Sequence, residues 1–210
     1  MSGDLLSVCG LGFFAAGRHL FDDLSFSVFA GNAVFVSGAN GSGKTTLLRI
    51  LSGLLLPDSG DVMWRGKPIK EQDETYRADF MYVGHKNAVH KDLSPLENLH
   101  TDFALQNRPP RYTLCETLAL AGLDKEQNRP CRDLSVGQNR RVALSRLVAF
   151  DFSLWLLDEP LAGLDDDGRN FFVGCLKAHL QKGGAAVIGA PREEALPDVS
   201  ATVVRLGAAA

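Results

Sequence analysis

The chain has 210 residues, with 22 Lys and Arg against 25 Asp and Glu, for a net charge of −3; 45% of residues are apolar and 22% are charged. That is ordinary globular composition with ample material for a core. It excludes the overall basic field that draws a protein to nucleic acid or to a lipid surface, so no nucleic-acid partner is expected.

The four cysteines, Cys9, Cys115, Cys131 and Cys175, form no Cys-x-x-Cys pair. They read as reduced thiols rather than a disulfide framework or a zinc site. The N-terminal MSGDLLSV has an acidic residue and no basic region before its apolar residues, unlike a signal peptide. No apolar stretch reaches the length needed to span a membrane. Any link to a membrane is expected to run through a partner.

In chain order, strand-like runs fall at LSFSVF (24–29), AVFVS (33–37), DVMW (61–64), FMYVG (80–84), LWLLD (154–158), AAVIG (185–189) and TVVRL (202–206). Several are continuous apolar runs, the pattern of strands covered on both faces of a parallel sheet. Helical stretches fall between them, at 44–53, 94–106, 113–122, 137–150 and 167–182. Strands alternating with helices predict an α/β domain. Residues 86 to 134 break the alternation, with two helical stretches separated by the breaker NRPPR (107–111). The region reads as a helical lobe inserted into a single domain spanning 1–210.

The run AVFVS leads into GANGSGKTT, residues 38–46, and then into a helix. Strand, glycine loop and helix are the setting of a phosphate loop. Gly38, Gly41 and Gly43 let the backbone curl around an anion, and the amides of Asn40 to Thr46, Ser42 among them, form a nest at a helix N-terminus; Ala39 completes the binding loop. Lys44 is expected to reach the β- and γ-phosphates, and the Thr45 hydroxyl to ligate magnesium. The ligand class is a nucleoside triphosphate with Mg2+.

Further on come DLSVGQNRRVALSRLVAF (133–150), SLWLLDEP (153–160) and LAGLDDDG (161–168). In the first, Ser135 and Gly137 open a helix and make a second anion site, with Gln138 next in line; Ser135 also suits a helix cap. In the second, a strand ends in two carboxylates. Asp158 is placed to bind the metal, and Glu159 to polarise a water for attack on the γ-phosphate.

Leu-Ser-x-Gly-Gln followed by a basic helix resembles the signature of the ATP-binding cassette (ABC) ATPases. It sets the chain apart from small-molecule kinases and from small GTPases. The resemblance covers nearly the whole chain. YVGHKNAVHKDLSPLENLH (82–100), LSVGQNRRVALSRL (134–147) and LWLLDEP (154–160) look most like the ATP-binding subunits of cytochrome c maturation haem exporters.

The resemblance implies a P-loop NTPase core with a mostly parallel sheet flanked by helices, the inserted helical lobe, and an antiparallel β region near the N-terminus. It implies a head-to-tail dimer in which the signature of one copy closes on the ATP held by the other, with Asp165 in a dimer-contacting loop. It also implies integral membrane permease subunits of the haem export system as partners, and a peripheral place on the cytoplasmic face of a bacterial inner membrane. There ATP hydrolysis would be coupled to haem delivery or to release of the haem chaperone. No residue marks a haem site; His85, His90, His100 and Cys131 read as ordinary surface or lobe residues.

Two positions depart from the family pattern. After FMYVG the family places a glutamine, where this chain has Lys86. A lysine has no lone pair to offer a metal while charged. After AAVIGA the family places a histidine, where this chain has Pro191, which lacks both a side-chain donor and a backbone N–H. The neighbouring Arg192 offers charge in a different geometry. Phe13 and Phe14 are candidates to stack on adenine. The leading expectation is therefore a slow ATPase of an export complex. The alternatives are a non-hydrolysing ATP-dependent dimerisation switch, the ATPase of another small exporter, and a soluble cassette of DNA repair or translation.

Overall fold

A computed structural model describes residues 4–106, 108–191, 196, 199 and 201–207. Arg192 lies outside the described residues. Strands β1 (Asp4–Ala15), β2 (Arg18–Phe29) and β3 (Ala33–Ser37) lead into helix α1 (Lys44–Leu51). Then come β4 (Ser59–Trp64), β5 (Lys67–Pro68), α2 (Asp73–Asp79), β6 (Phe80–Val83), α3 (Pro95–Leu105), α4 (Leu114–Leu120) and α5 (Val136–Ala149). The chain ends with β7 (Leu154–Asp158), α6 (Asp166–Gln181), β8 (Ala185–Ala190) and β9 (Ala201–Arg205).

The strands form two sheets, an antiparallel one in the order β2-β1-β4-β5 and a five-stranded one in the order β6-β7-β8-β3-β9. In the second, β3 pairs in parallel with β8 and β9, and β7 with β8. The expected α/β class, with a parallel sheet and an antiparallel N-terminal region, is what the chain forms.

Two compact units result. The first comprises residues 1–82, 152–159 and 177–210. Every residue of β3, β7 and β8 is buried, as continuous apolar runs require when both sheet faces are covered. Helix α1 buries Leu47, Leu48, Ile50 and Leu51 in one cluster with Leu6, Val8 and Leu11 of β1, Leu154 and Leu156 of β7 and Val187 of β8. Each such side chain contributes about 2 kcal/mol by leaving water, which fixes the end of α1 against the ends of β7 and β8.

The second unit comprises residues 83–151 and 160–176. Its core holds Leu99 of α3, Leu118 of α4 and Val142 of α5, with Cys131 and Leu134 between α4 and α5 in sequence. Arg140 and Arg141 of α5 are buried and hold backbone. Arg140 donates to the carbonyls of Gly84 and Pro160, and Arg141 reaches those of Ala121 and Gly122. Among the described residues no helix is long and apolar enough to cross a membrane.

Helices α3, α4 and α5 each open with a capping box, from Ser94 with Glu97, Thr113 with Glu116, and Ser135 with Gln138. Backbone hydrogen bonds from Ser94 and Thr113 hold the Glu97 and Glu116 carboxyls below their ordinary value of 4.5. A depressed folded-state pKa gives stability that is present above the unfolded value and is lost as pH falls through the folded one. Unfolding free energy is therefore expected to drop as pH is lowered below about 4.5, and the double variant Glu97→Gln/Glu116→Gln is expected to flatten that acid arm in chemical denaturation across pH 3–6.

Candidate functional site

The loop from Gly38 to Gly43 connects β3 to α1. Gly43 is the N-cap of α1 and sits at φ 103°, where glycine is the residue at ease. No side chain caps α1, in contrast to the three boxed helices, so its first-turn N–H groups have no side-chain acceptor. An uncapped N-terminus at the end of a buried strand is a ready acceptor for an anion.

Lys44 is almost fully buried. Its ammonium folds back over the loop and donates to Gly38 O at 2.7 Å and Ala39 O at 3.0 Å. Thr45, next along α1, donates its hydroxyl proton to Asp158 Oδ2 at 2.7 Å. Asp158 ends β7 and is 1% exposed. A hydroxyl and a carboxylate so close, beside an anion-accepting loop, are the hard oxygen donors that suit magnesium.

Glu159 follows, at the unusual φ of 49°. Its N–H donates to Gly189 O on β8 at 2.8 Å, one residue beyond the Asp158↔Gly189 pair. The carboxylate is thus set off the strand axis by its own backbone. Pro191 follows the last residue of β8 and is exposed. Lys86 is exposed, in the segment after β6.

A cavity of about 620 Å3 opens beside the loop, lined by Arg18, His19, Asp22, Asn40, Ser42 and Arg205, among others. A smaller one of about 310 Å3, lined by Phe13 and Phe14, shares His19 and Asp22 with it. Phe13 packs on Phe21 in the core, whereas Phe14 is half exposed with His19 edge-on at 5.1 Å. Of the two candidates for a stacking face, Phe14 is the more open.

In the second unit the signature residues meet the LAGLD loop. A Cβ on Gly137 would stand 2.9 Å from Gly163 O, so only glycine allows this approach. Ser135 and Gln138 cap α5 reciprocally, at 3.1 and 2.9 Å. Asp165 accepts the Gly168 N–H at 2.9 Å and pairs with Arg141 at 3.3 Å, which ties the loop to α5.

Asn139 was not singled out in the sequence, yet its side-chain amide donates to the carbonyls of Cys131, Leu134 and Ser135 at 2.9–3.1 Å. It clamps the turn that presents Ser135. Asn139→Ala is expected to cost about 1–3 kcal/mol, by leaving the Leu134 carbonyl without its donor and those of Cys131 and Ser135 with backbone donors alone, and to lower the denaturant midpoint at unchanged slope.

Residues 21–162, two thirds of the chain, match the ABC transporter family. The chain is 41% identical over 191 residues to the cytochrome c biogenesis ATP-binding export protein CcmA of Dechloromonas aromatica, covering 90% of this chain and 94% of that protein. The chain belongs to the ABC transporter family, in the cytochrome c biogenesis export branch. It is 38% identical to one CcmA of Cupriavidus metallidurans over 210 residues, covering 99% of this chain and 100% of that protein.

In fold it is similar to a putative ABC transporter ATP-binding protein from Pyrococcus furiosus, with a TM-score of 0.78 at 23% identity and 96% of each chain covered. It is also similar to an ATP-binding cassette of an ABC transporter solved in its ADP conformation, with a TM-score of 0.73 at 24% identity, covering 91% of this chain and 83% of that one. The cassette is an ATPase that binds nucleotide, as the family does. Of the sequence-based candidates, the loop, Asp158 and Glu159 gather in the first unit, and Ser135, Gly137, Gln138 and Asp165 in the second.

Proposed function

We propose that this ATPase drives a cytochrome c maturation haem exporter from the cytoplasmic face of a bacterial inner membrane. Its relatives, named as cytochrome c biogenesis ATP-binding export proteins over nearly their full length, support the reading. The observation that carries the chemistry is the convergence of Lys44, the Thr45–Asp158 pair and Glu159 at the joined ends of α1, β7 and β8.

In this reading Lys44 leaves the loop carbonyls for the β- and γ-phosphates, and the amides from Gly38 to Thr46 cradle them. Thr45 and Asp158 hold Mg2+, which when bound neutralises phosphate charge. Glu159 orients and polarises the attacking water. Adenine stacks on Phe14. Two copies pair head to tail, so that Ser135, Gly137 and Gln138 of one close on the nucleotide of the other. The chain is a single cassette whose helical lobe, at about 86–134, docks with the Lys86 segment on integral permease subunits.

The test is to purify the full chain with and without the membrane subunits of a cytochrome c maturation exporter and to measure ATP turnover alongside Lys44→Ala. Turnover that rises with those subunits and disappears in Lys44→Ala is the expected result. Turnover indifferent to them, with no co-purification, would assign the chain to another small exporter. A second reading, an ATP-held dimerisation switch without hydrolysis, is favoured by Pro191 standing where a side-chain donor is expected beyond β8.

A further inference from the structure

Strand β2 runs directly against the phosphate loop. A Cβ added to Gly43 would meet Leu20 Cβ at 3.1 Å and Phe21 Cε1 at 3.4 Å. Two residues before Leu20, the guanidinium of Arg18 donates to Gly41 O at 2.8 Å. Among the described residues the Arg18 side chain makes no other hydrogen bond or ion pair.

The Gly41–Ser42 peptide is thus held at both ends, its carbonyl by Arg18 and its Ser42 N–H by Ala39 O at 3.1 Å. Ala39 O in turn accepts from Lys44 Nζ at 3.0 Å. A continuous chain of hydrogen bonds therefore links Arg18, outside the loop motif, to the lysine within it. The middle of that chain is a glycine at φ 79°, a peptide that nothing in its own side chain restrains.

We infer that Arg18 is a nucleotide-positioning residue, which acts through the Gly41 carbonyl to hold the phosphate loop in its anion-accepting form. The inference rests on the reading of Gly38–Thr46 as the ATP site. A cation on a carbonyl both pins the peptide plane and polarises the amide beyond it, so that each bond strengthens the next. The loop is then ordered before nucleotide arrives, and binding does not have to supply that ordering.

The experiment is ATP binding to the full chain by calorimetric titration, for the parent, Arg18→Ala, Arg18→Lys and Lys44→Ala, with melting temperatures measured without nucleotide. Arg18→Ala is expected to raise the Kd for ATP about tenfold, the scale of one lost charge-assisted hydrogen bond, at an unchanged melting temperature. Arg18→Lys, which keeps a cationic donor, is expected to recover most of that loss. A parent-like Kd in Arg18→Ala, an equal loss in Arg18→Lys, or a melting temperature that falls in step with affinity would overturn the inference. Parent-like binding by Lys44→Ala would instead remove the ATP-site reading beneath it, so the two failures are distinct.

Discussion

Glu159→Gln is expected to lower ATP turnover by about three orders of magnitude while leaving the Kd for ATP within a few-fold of the parent, the range over which a positioned general base contributes. The change is isosteric and removes a charge and a proton acceptor, while leaving the backbone as it is. The Glu159 N–H still donates to Gly189 O, and the residue keeps its place one step beyond Asp158. Nucleotide contacts assigned to Lys44, Thr45 and the loop are untouched. ATP-bound dimer should therefore accumulate, visible as a shift in elution volume with ATP and magnesium. Parent-like turnover in this variant would remove Glu159 from the role of base.

Pro191→His, alone and combined with Lys86→Gln, is expected to raise turnover by about tenfold or more. Losing one preorganised donor from an active site costs roughly two to three orders of magnitude, and restoring it to a site that has adapted to its absence should return part of that. The position follows β8 directly, two residues after Gly189, which pairs with Asp158 and accepts from the Glu159 N–H. Steady-state turnover with the membrane subunits present is the measurement. If neither variant differs from the parent, the slow-cycle account is wrong, and the chain completes its site by other means.

The parts that could be read from the sequence were those whose cause is local. AVFVS, LWLLD and AAVIGA are apolar throughout because both faces of β3, β7 and β8 are covered, and the run alone carries that information. The helix starts at Ser94, Thr113 and Ser135 carry their partners three residues on. By contrast β1 went unread. Its register shifts against β2 between Val8 and Leu11, and again up to Phe14, which breaks the two-residue alternation that marks a strand. Helix α2 is seven residues of mostly polar sequence with no apolar stripe to announce it.

The same division holds in the site. Lys44, Thr45 and Asp158 belong to contiguous motifs that can be read as letters, and the fold brings Thr45 to Asp158 and Lys44 over the loop. Arg18 and Asn139 do their work on carbonyls that only the folded chain brings to them, and a carbonyl has no letter in a sequence. Arg140 could have been noticed as one of two adjacent arginines early in the helix after the signature, though not what it holds.

Glu159 occupies a backbone conformation that costs a non-glycine residue on the order of 1–3 kcal/mol. Folding alone would choose glycine there. If Glu159 is the base proposed above, the carboxylate is carried against the interest of the fold and is kept only while turnover is selected. A library of this chain screened for thermal endurance without a demand for ATP consumption should drift toward glycine here, as at Ala16, Asp23, Arg65 and Ala88, which share the conformation, but only the change at Glu159 should cost activity.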